Sequence, residues 1–261
     1  MQCVILCGGF ATRLRPLTLD QPKHLLPIAG RPMVDYLLDR LAAAGLKTGL
    51  LVTNHRFAAN FQDWARQGWH SLRVEILDDG TETNETRLGS IGDLRFALDA
   101  ADVREDFVVV TGDNLFTFAV DPLFESFRRR GNTIALYDVG SVELARQMGH
   151  ATCDAAGRVV KFVEKPAQPP DTLVSIGIYL YQAAGRNLVD RYLAEGQSPD
   201  RTGDFVAWLH KQVPVYGHRI LHDAGMWFDI GSFDQYQEAN AAYGGHPIDA
   251  EQLKSTIASG H

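Results

Sequence analysis

Cysteine is scarce. The 261-residue chain has three, Cys3, Cys7 and Cys153, and none stands in a C-x-x-C pair. That excludes a disulfide framework and leaves small apolar fillers in a reducing compartment. Long apolar runs are missing too: none approaches the ~20 residues needed to cross a bilayer. The start, MQCVILCGG, has no basic stretch and turns to glycine after a short apolar run, so the reading predicts no signal peptide and a cytoplasmic protein. Cations are in deficit, 25 Lys and Arg against 32 Asp and Glu for a net charge of −7. That balance argues against a general nucleic-acid or anionic-membrane binder. No internal repeat and no Pro/Gly/Ser linker parts the chain into independent domains. With 45% hydrophobic and 22% charged residues it has the makings of a sizeable core.

What is present alternates. Short apolar runs at 4–7, 49–53, 72–77 and 107–113 read as buried strands, and 33–44 reads as a helix with Gly45 as its stop. Ser90 with Asp93 resembles a capping box opening a further helix. The strands end on glycine or acid, which is doubly wound α/β logic, since such sheets bind ligands at the carboxyl ends of their strands. From about residue 131 the pattern shifts to strands at 133–139, 158–164, 173–181 and 214–221, with helices at 183–194, 203–212 and 232–243. This half reads as a mixed lobe built onto the same sheet. From Gly244 onward the residues read as a polar, frayed tail.

Against the acidic average, residues 1–31 carry Arg13, Arg15, Lys23 and Arg31 and a single acid, Asp20. They include CGGFATRLRPLTLDQPKHLLPIAG, where a glycine pair follows a strand. Such a pair lets backbone N–H groups approach an anion, and Arg13 and Lys23 add charged donors. The stretch is not a Rossmann G-x-G-x-x-G, because Ala11 stands where glycine belongs, and it is not a Walker A loop. An ordinary glycine turn and a phosphate loop would serve these glycines equally. Pro16, Pro22, Pro27 and Pro32, stiffening one loop that bears four cations, tip the reading to phosphate.

Other motifs are less telling by themselves. Asp113 in TGDN reads alone as a turn cap, and Asp229 in WFDIGS as an Asx turn or a cap before Ser232. Together, two carboxylates at strand ends are also a way to hold Mg²⁺. Glu164 and Lys165 in FVEKP read alone as a solvated pair. RLGSIGDL misses the hydrolase elbow because Leu88 replaces its first glycine. His218 and His222, with no third ligand in view, read as solvent-exposed. Trp64, Trp69 and Trp208 read as core or interface anchors, and Arg128–Arg130 as the basic end of a helix.

Taken in order, these motifs resemble the sugar-1-phosphate nucleotidyltransferases over roughly residues 2–240. The family's G-G-x-G-T-R-L-x-P-x-T, then P-K, then P, is matched by Gly8, Gly9, Thr12, Arg13, Leu14, Pro16, Thr18, Pro22, Lys23 and Pro27. Ala11 replaces the third glycine; it keeps its N–H but would be strained at a positive φ. The resemblance implies a Rossmann-like α/β/α domain with a mixed sheet and a sugar-binding lobe. It spans 1–243, with nucleotide bound in 1–120, sugar phosphate in 121–243 and a tail at 244–261. It further implies nucleotide contacts from Gly8, Gly9, Ala11, Thr12, Arg13, Lys23, Asn84, Leu88, Gly89 and Asp113. Sugar-phosphate contacts fall to Gly149, Glu164, Lys165 and Ser175, and Mg²⁺ to Asp113 and Asp229.

The implied reaction takes a nucleoside triphosphate and a sugar 1-phosphate to an NDP-sugar and pyrophosphate, with Arg13, Lys23 and Asp113 as its catalytic residues. TGDNLF leans toward dTTP or UTP with glucose 1-phosphate. Alternatives are a guanylyl- or cytidylyltransferase on another sugar phosphate or on phosphocholine, and a non-catalytic interaction scaffold of the same fold. The length leaves no room for the β-helix acyltransferase of bifunctional relatives. A homo-oligomer stays open.

Overall fold

The computed structural model describes residues 1–68 and 70–246, without the side chain of His222; Trp69 and residues 247–261, most of the expected tail, lie outside them. A nine-stranded mixed sheet organises the chain. Its parallel part is β1 (Gln2–Leu6), β2 (Thr48–Thr53), β3 (Arg73–Asp78) and β4 (Phe107–Thr111), in the order β4-β1-β2-β3. Between β4 and the next sheet strand lies the short β5 (Asn114–Phe116). The second half adds β6 (Thr133–Asp138), β7 (Gly149–Cys153), β8 (Val159–Glu164), β9 (Leu173–Tyr181) and β10 (Tyr216–Ile220). β9 runs antiparallel to β4, β6 and β7, so the expected mixed lobe is a continuation of the first sheet. β11 (Trp227–Asp229) leaves that sheet to pair with β5 in a separate ribbon.

Alternation along β1 shows why both faces are covered. Cys3 and Ile5 enter one core with α1 (Met33–Ala43), α2 (His55–Arg66) and α4 (Asp121–Arg130). Val4 and Leu6 enter the other, against α3 (Ser90–Ala100), α5 (Gly185–Ala194) and α6 (Thr202–Leu209). A strand buried on both faces reads as a continuous apolar run, which is how VILC appears in the sequence. Cys3 and Cys7 are buried and free, as their filler role requires. Trp64 is buried in the first core and Trp208 packs against the second.

A third, smaller core fixes the basic N-terminal segment. Leu14, Leu17, Leu26 and Ile28 close on Leu115, Ile230 and Tyr236, the last from α7 (Phe233–Ala242). Tyr236 also donates its hydroxyl to Pro27 O at 2.5 Å. A loop of glycines and cations is thereby nailed down by its interspersed leucines.

Several helix ends follow the local chemistry that the sequence shows, and the start of α3 does not. Gly45 adopts φ 92° past α1, and Leu46 N–H returns to Leu41 O. Ser232 caps α7 through Gln235 N–H, and Arg128–Arg130 close α4 as expected. The Ser90–Asp93 capping box is not made: Gly89, at φ 80°, is the cap, and Ser90 is already helical. The first N–H groups of α3 go instead to the Asp200 and Pro199 carbonyls, and the Asp93 side chain turns inward. His218 is half-buried in β10, whereas His222 opens a 3₁₀ turn after it, so the two do not share a strand face. Gly244–His246 are not frayed: Gly245 N–H reaches Asn240 O and Asn240 Nδ2 donates to His246 O. Among the described residues no helix is long and apolar enough to cross a membrane.

Asn54, fully buried, does two jobs. Its Oδ1 caps α2 by accepting Phe57 N–H at 3.1 Å, and its Nδ2 donates to Gly8 O at 3.0 Å. Asn54→Ala removes a cap and orphans a buried carbonyl, so the expected loss is about 2 kcal/mol in urea denaturation. A loss below about 0.5 kcal/mol would show that water or a neighbour takes over both bonds.

Candidate active site

Where β1 and β4 end, the chain must turn twice in a confined space. Gly112 allows the second turn, because any side chain there would meet Cys7 Sγ and the His24 ring. The turn delivers Asp113 to Lys23, whose Nζ donates to Asp113 Oδ2 at 2.6 Å. The same ammonium lies 3.4 Å from Ile230 O, one residue past Asp229. The β5–β11 ribbon sets Asp229 opposite Asn114, and so beside Asp113. Asn114 ties the corner together: it donates to Thr111 Oγ1 and Gly177 O and accepts from Trp227 Nε1. Gly177, at φ 73°, marks the irregularity where β9 changes register, a bulge beside the site.

These residues border one cleft of about 500 Å³. The first half of the chain lines it with the Gly8–Arg13 turn, Lys23, Asn84, Arg87 and Asp113, and the second with Gly149, Glu164, Ser175, Tyr179, Thr202 and Asp229. Of the expected contact residues, Gly8, Gly9, Ala11, Thr12, Arg13, Lys23, Asn84, Asp113, Gly149, Glu164, Ser175 and Asp229 therefore converge from both halves of the chain. Leu88 and Gly89 sit just behind the lining, where Leu88 packs under Gly92 and Gly89 against Pro199. Lys165 is exposed at its rim, with φ 50° and its N–H on Met148 O. Asp93, Arg87 and His24 also line the cleft. From sequence Asp93 reads only as half of a capping box, and nothing local marks Arg87 or His24 as site residues.

The charges are strongly tuned. Burial opposes ionisation of Asp113, yet the Lys23 charge and hydrogen bond, helped by His24 and Thr111, hold its carboxyl well below the usual range. Asp229 is shifted the other way, by burial and then by the charge on Asp113, with Lys23, Arg13 and Lys165 offsetting part of it. Glu164 is raised chiefly by burial; its carboxylate lies against Gly149 and Gly203, where any side chain would displace it. His24 is driven down to about 3 by burial and then by Lys23, so at neutral pH it is an uncharged wall beside the pair. Among the described residues no group of three or more His, Cys, Asp or Glu is placed to hold a metal by itself. Two carboxylates suit Mg²⁺, which keeps few protein ligands and fills its shell from phosphates and water.

Residues 2–245 match the family model described as nucleotidyl transferase. The chain belongs to that family. Among curated nucleotidyl transferase relatives, the mannose-1-phosphate guanylyltransferase of Mycobacterium tuberculosis is 34% identical over 248 residues, covering 92% of this chain and 64% of that protein. The low-salt glycan biosynthesis nucleotidyltransferase of Haloferax volcanii is 29% identical over 245 residues, covering 92% and 65%. The chain thus spans just under two thirds of the length of these relatives. A crystal structure of UDP-glucose pyrophosphorylase complexed with UDP-glucose superposes with a TM-score of 0.78 at 20% identity, over 93% of this chain and 97% of that one. At that identity the likeness speaks for the fold alone.

Ala11, the departure from the glycine signature, adopts φ 45° and ψ 42°. Left-handed backbone costs an alanine roughly 1–2 kcal/mol, more than glycine loses by its greater freedom when unfolded. Ala11→Gly is therefore expected to raise the urea midpoint by the equivalent of about 1 kcal/mol at unchanged m-value. A lowered midpoint would contradict the strain.

Proposed function

We propose that the chain transfers a nucleotidyl group from a nucleoside triphosphate to a sugar 1-phosphate, giving an NDP-sugar and pyrophosphate. The observation that carries this reading is the Lys23–Asp113 pair facing Asp229, set between a glycine turn rich in donors and a wall of hydroxyl-binding groups. In this reading residues 1–120 take the nucleotide and 121–243 the sugar phosphate.

A phosphate oxygen of the sugar 1-phosphate attacks the α-phosphorus in line, and the bond from that phosphorus to the bridging oxygen of the β-phosphate breaks. No protein nucleophile is needed, so the side chains act by position and charge. Gly8, Gly9, Ala11 and Thr12 line the triphosphate's side, while Asn84, with Leu88 and Gly89 behind it, borders the base. Arg13 steadies the leaving pyrophosphate. Lys23 turns from Asp113 to the α-phosphate, and its charge offsets the negative charge that builds there. Glu164 and Ser175, beside Gly149, accept and donate to sugar hydroxyls, and Lys165 reaches in from the rim to the sugar phosphate. Asp113 and Asp229 would hold Mg²⁺, which supplies charge neutralisation for the phosphates when bound. A cytoplasmic setting, where both substrates are found, suits the reading.

For the base, TGDNLF favours dTTP or UTP with glucose 1-phosphate, whereas the M. tuberculosis relative carries a guanylyl name. Pyrophosphate release from ATP, GTP, CTP, UTP and dTTP against a panel of sugar 1-phosphates tests both points. We expect turnover with one donor preferred. Asp113→Ala and Lys23→Ala should each lower it by about 10²–10³-fold or more with unchanged circular dichroism. Near-normal turnover in either variant would remove that residue from the chemistry, and no release with any pair would favour the scaffold alternative.

A further inference from the structure

Beneath the glycine turn lies a second pair of carboxylates. Asp93, on the first turn of α3, is 6% exposed and borders the cleft. One of its oxygens, Oδ2, packs so closely on Gly8 that a Cβ there would collide with it, and Asp79 Oδ2 lies just behind. Asp79 spends its Oδ1 on the N–H and hydroxyl of Thr81, at 2.7 and 2.6 Å. That leaves one buried, unpartnered oxygen on each acid, Asp79 Oδ2 and Asp93 Oδ1. Two ionised carboxylates so placed would repel each other, whereas one proton shared between the two acids relieves the repulsion and supplies a hydrogen bond where none is otherwise made.

We propose that Asp93 is a positioning residue for the donor nucleotide, sharing one proton with Asp79 so that the floor under Gly8 carries one negative charge instead of two. The proposal rests on reading this cleft as the nucleotide site. Gly8 is held by Asn54 Nδ2 on its carbonyl and packed against the Asp93 carboxyl, so the acid pair sets both the packing of the turn and the charge beside it. Burial, then the charge and hydrogen bond of Asp79, push the Asp93 carboxyl up to about 8. The other ionisable groups that face the pair do not replace that proton. Cys7, just past β1, is kept as a neutral thiol by burial and then by Asp113. His55, at the start of α2, is exposed and committed first to Asp78, with Glu82 and Asp79 acting on it only at longer range. When the shared proton leaves, a second negative charge appears under the turn that must receive a triphosphate.

The test follows the affinity of ATP, GTP, CTP, UTP and dTTP, with Mg²⁺, by calorimetry from pH 7 to 9, alongside ¹³C spectra of aspartate-labelled protein without nucleotide. For the tightest donor, Kd is expected to rise about tenfold across that range in the wild type. In Asp93→Asn it should stay near the wild-type pH 7 value, because the amide N–H takes the proton's place toward Asp79. The spectra should show an aspartate carboxyl titrating near pH 8 that Asp93→Asn abolishes. A pH-independent wild-type Kd, a variant whose Kd rises in parallel, or no aspartate titrating above pH 6 overturns the proposal. A carboxyl titrating near pH 8 with no nucleotide bound at pH 7 overturns the nucleotide reading and leaves the shared proton standing.

Discussion

The ion pair between Lys23 and Asp113 is the constraint on which the site depends. It joins the basic N-terminal segment to the end of β4 across ninety residues, at 2.6 Å and half-buried. The Asp113 charge is not comfortable there alone. Burial works against the Asp113 carboxylate, and the Lys23 ammonium outweighs it. Once formed, the pair biases everything around it: Asp229 is pushed toward protonation partly by the charge on Asp113, and His24 is kept neutral partly by Lys23. In the proposed function, Lys23 turns from this carboxylate to a phosphate while Asp113 takes another positive partner.

Rigid surroundings make such an exchange meaningful. The third core anchors Leu14 and Leu17 on the Arg13 side and Leu26 and Ile28 on the Lys23 side. Asn114 locks the β4 end, the β9 bulge and β11 to one another. Left-handed non-glycine backbone occurs at Ala11, Ala29, Asp102 and Lys165. Ala11 lines the cleft and Lys165 follows the lining residue Glu164, so part of this strain falls where geometry is held for function.

Much of this is legible in the sequence itself. Glycine, arginine, lysine and proline in one short stretch state their chemistry by local density, and buried parallel strands announce themselves as apolar runs ending on glycine or acid. What escaped depends on partners far apart in sequence. Asp93 looked like the far half of a capping box because Ser90 stands three residues before it, and only the fold reveals that Gly89 caps the helix and Asp79 claims the carboxyl. His24 has no local signal of its own; it is buried beside Gly112, a position the turn after β4 sets. The branching of β9 is not legible because LVSIGIYLY is apolar but for Ser175 and its register change falls around one glycine.

The central claim is that Lys23 makes the buried charge on Asp113 tolerable. A double-mutant cycle in urea at neutral pH, with Lys23→Met, Asp113→Asn and both together, tests it most directly. Lys23→Met alone should cost about 3 kcal/mol, because it leaves a carboxylate buried without its counter-charge, and adding Asp113→Asn should restore most of that loss. Additive effects, with a coupling below about 0.5 kcal/mol, would show that the two charges are tolerated independently and would contradict the account.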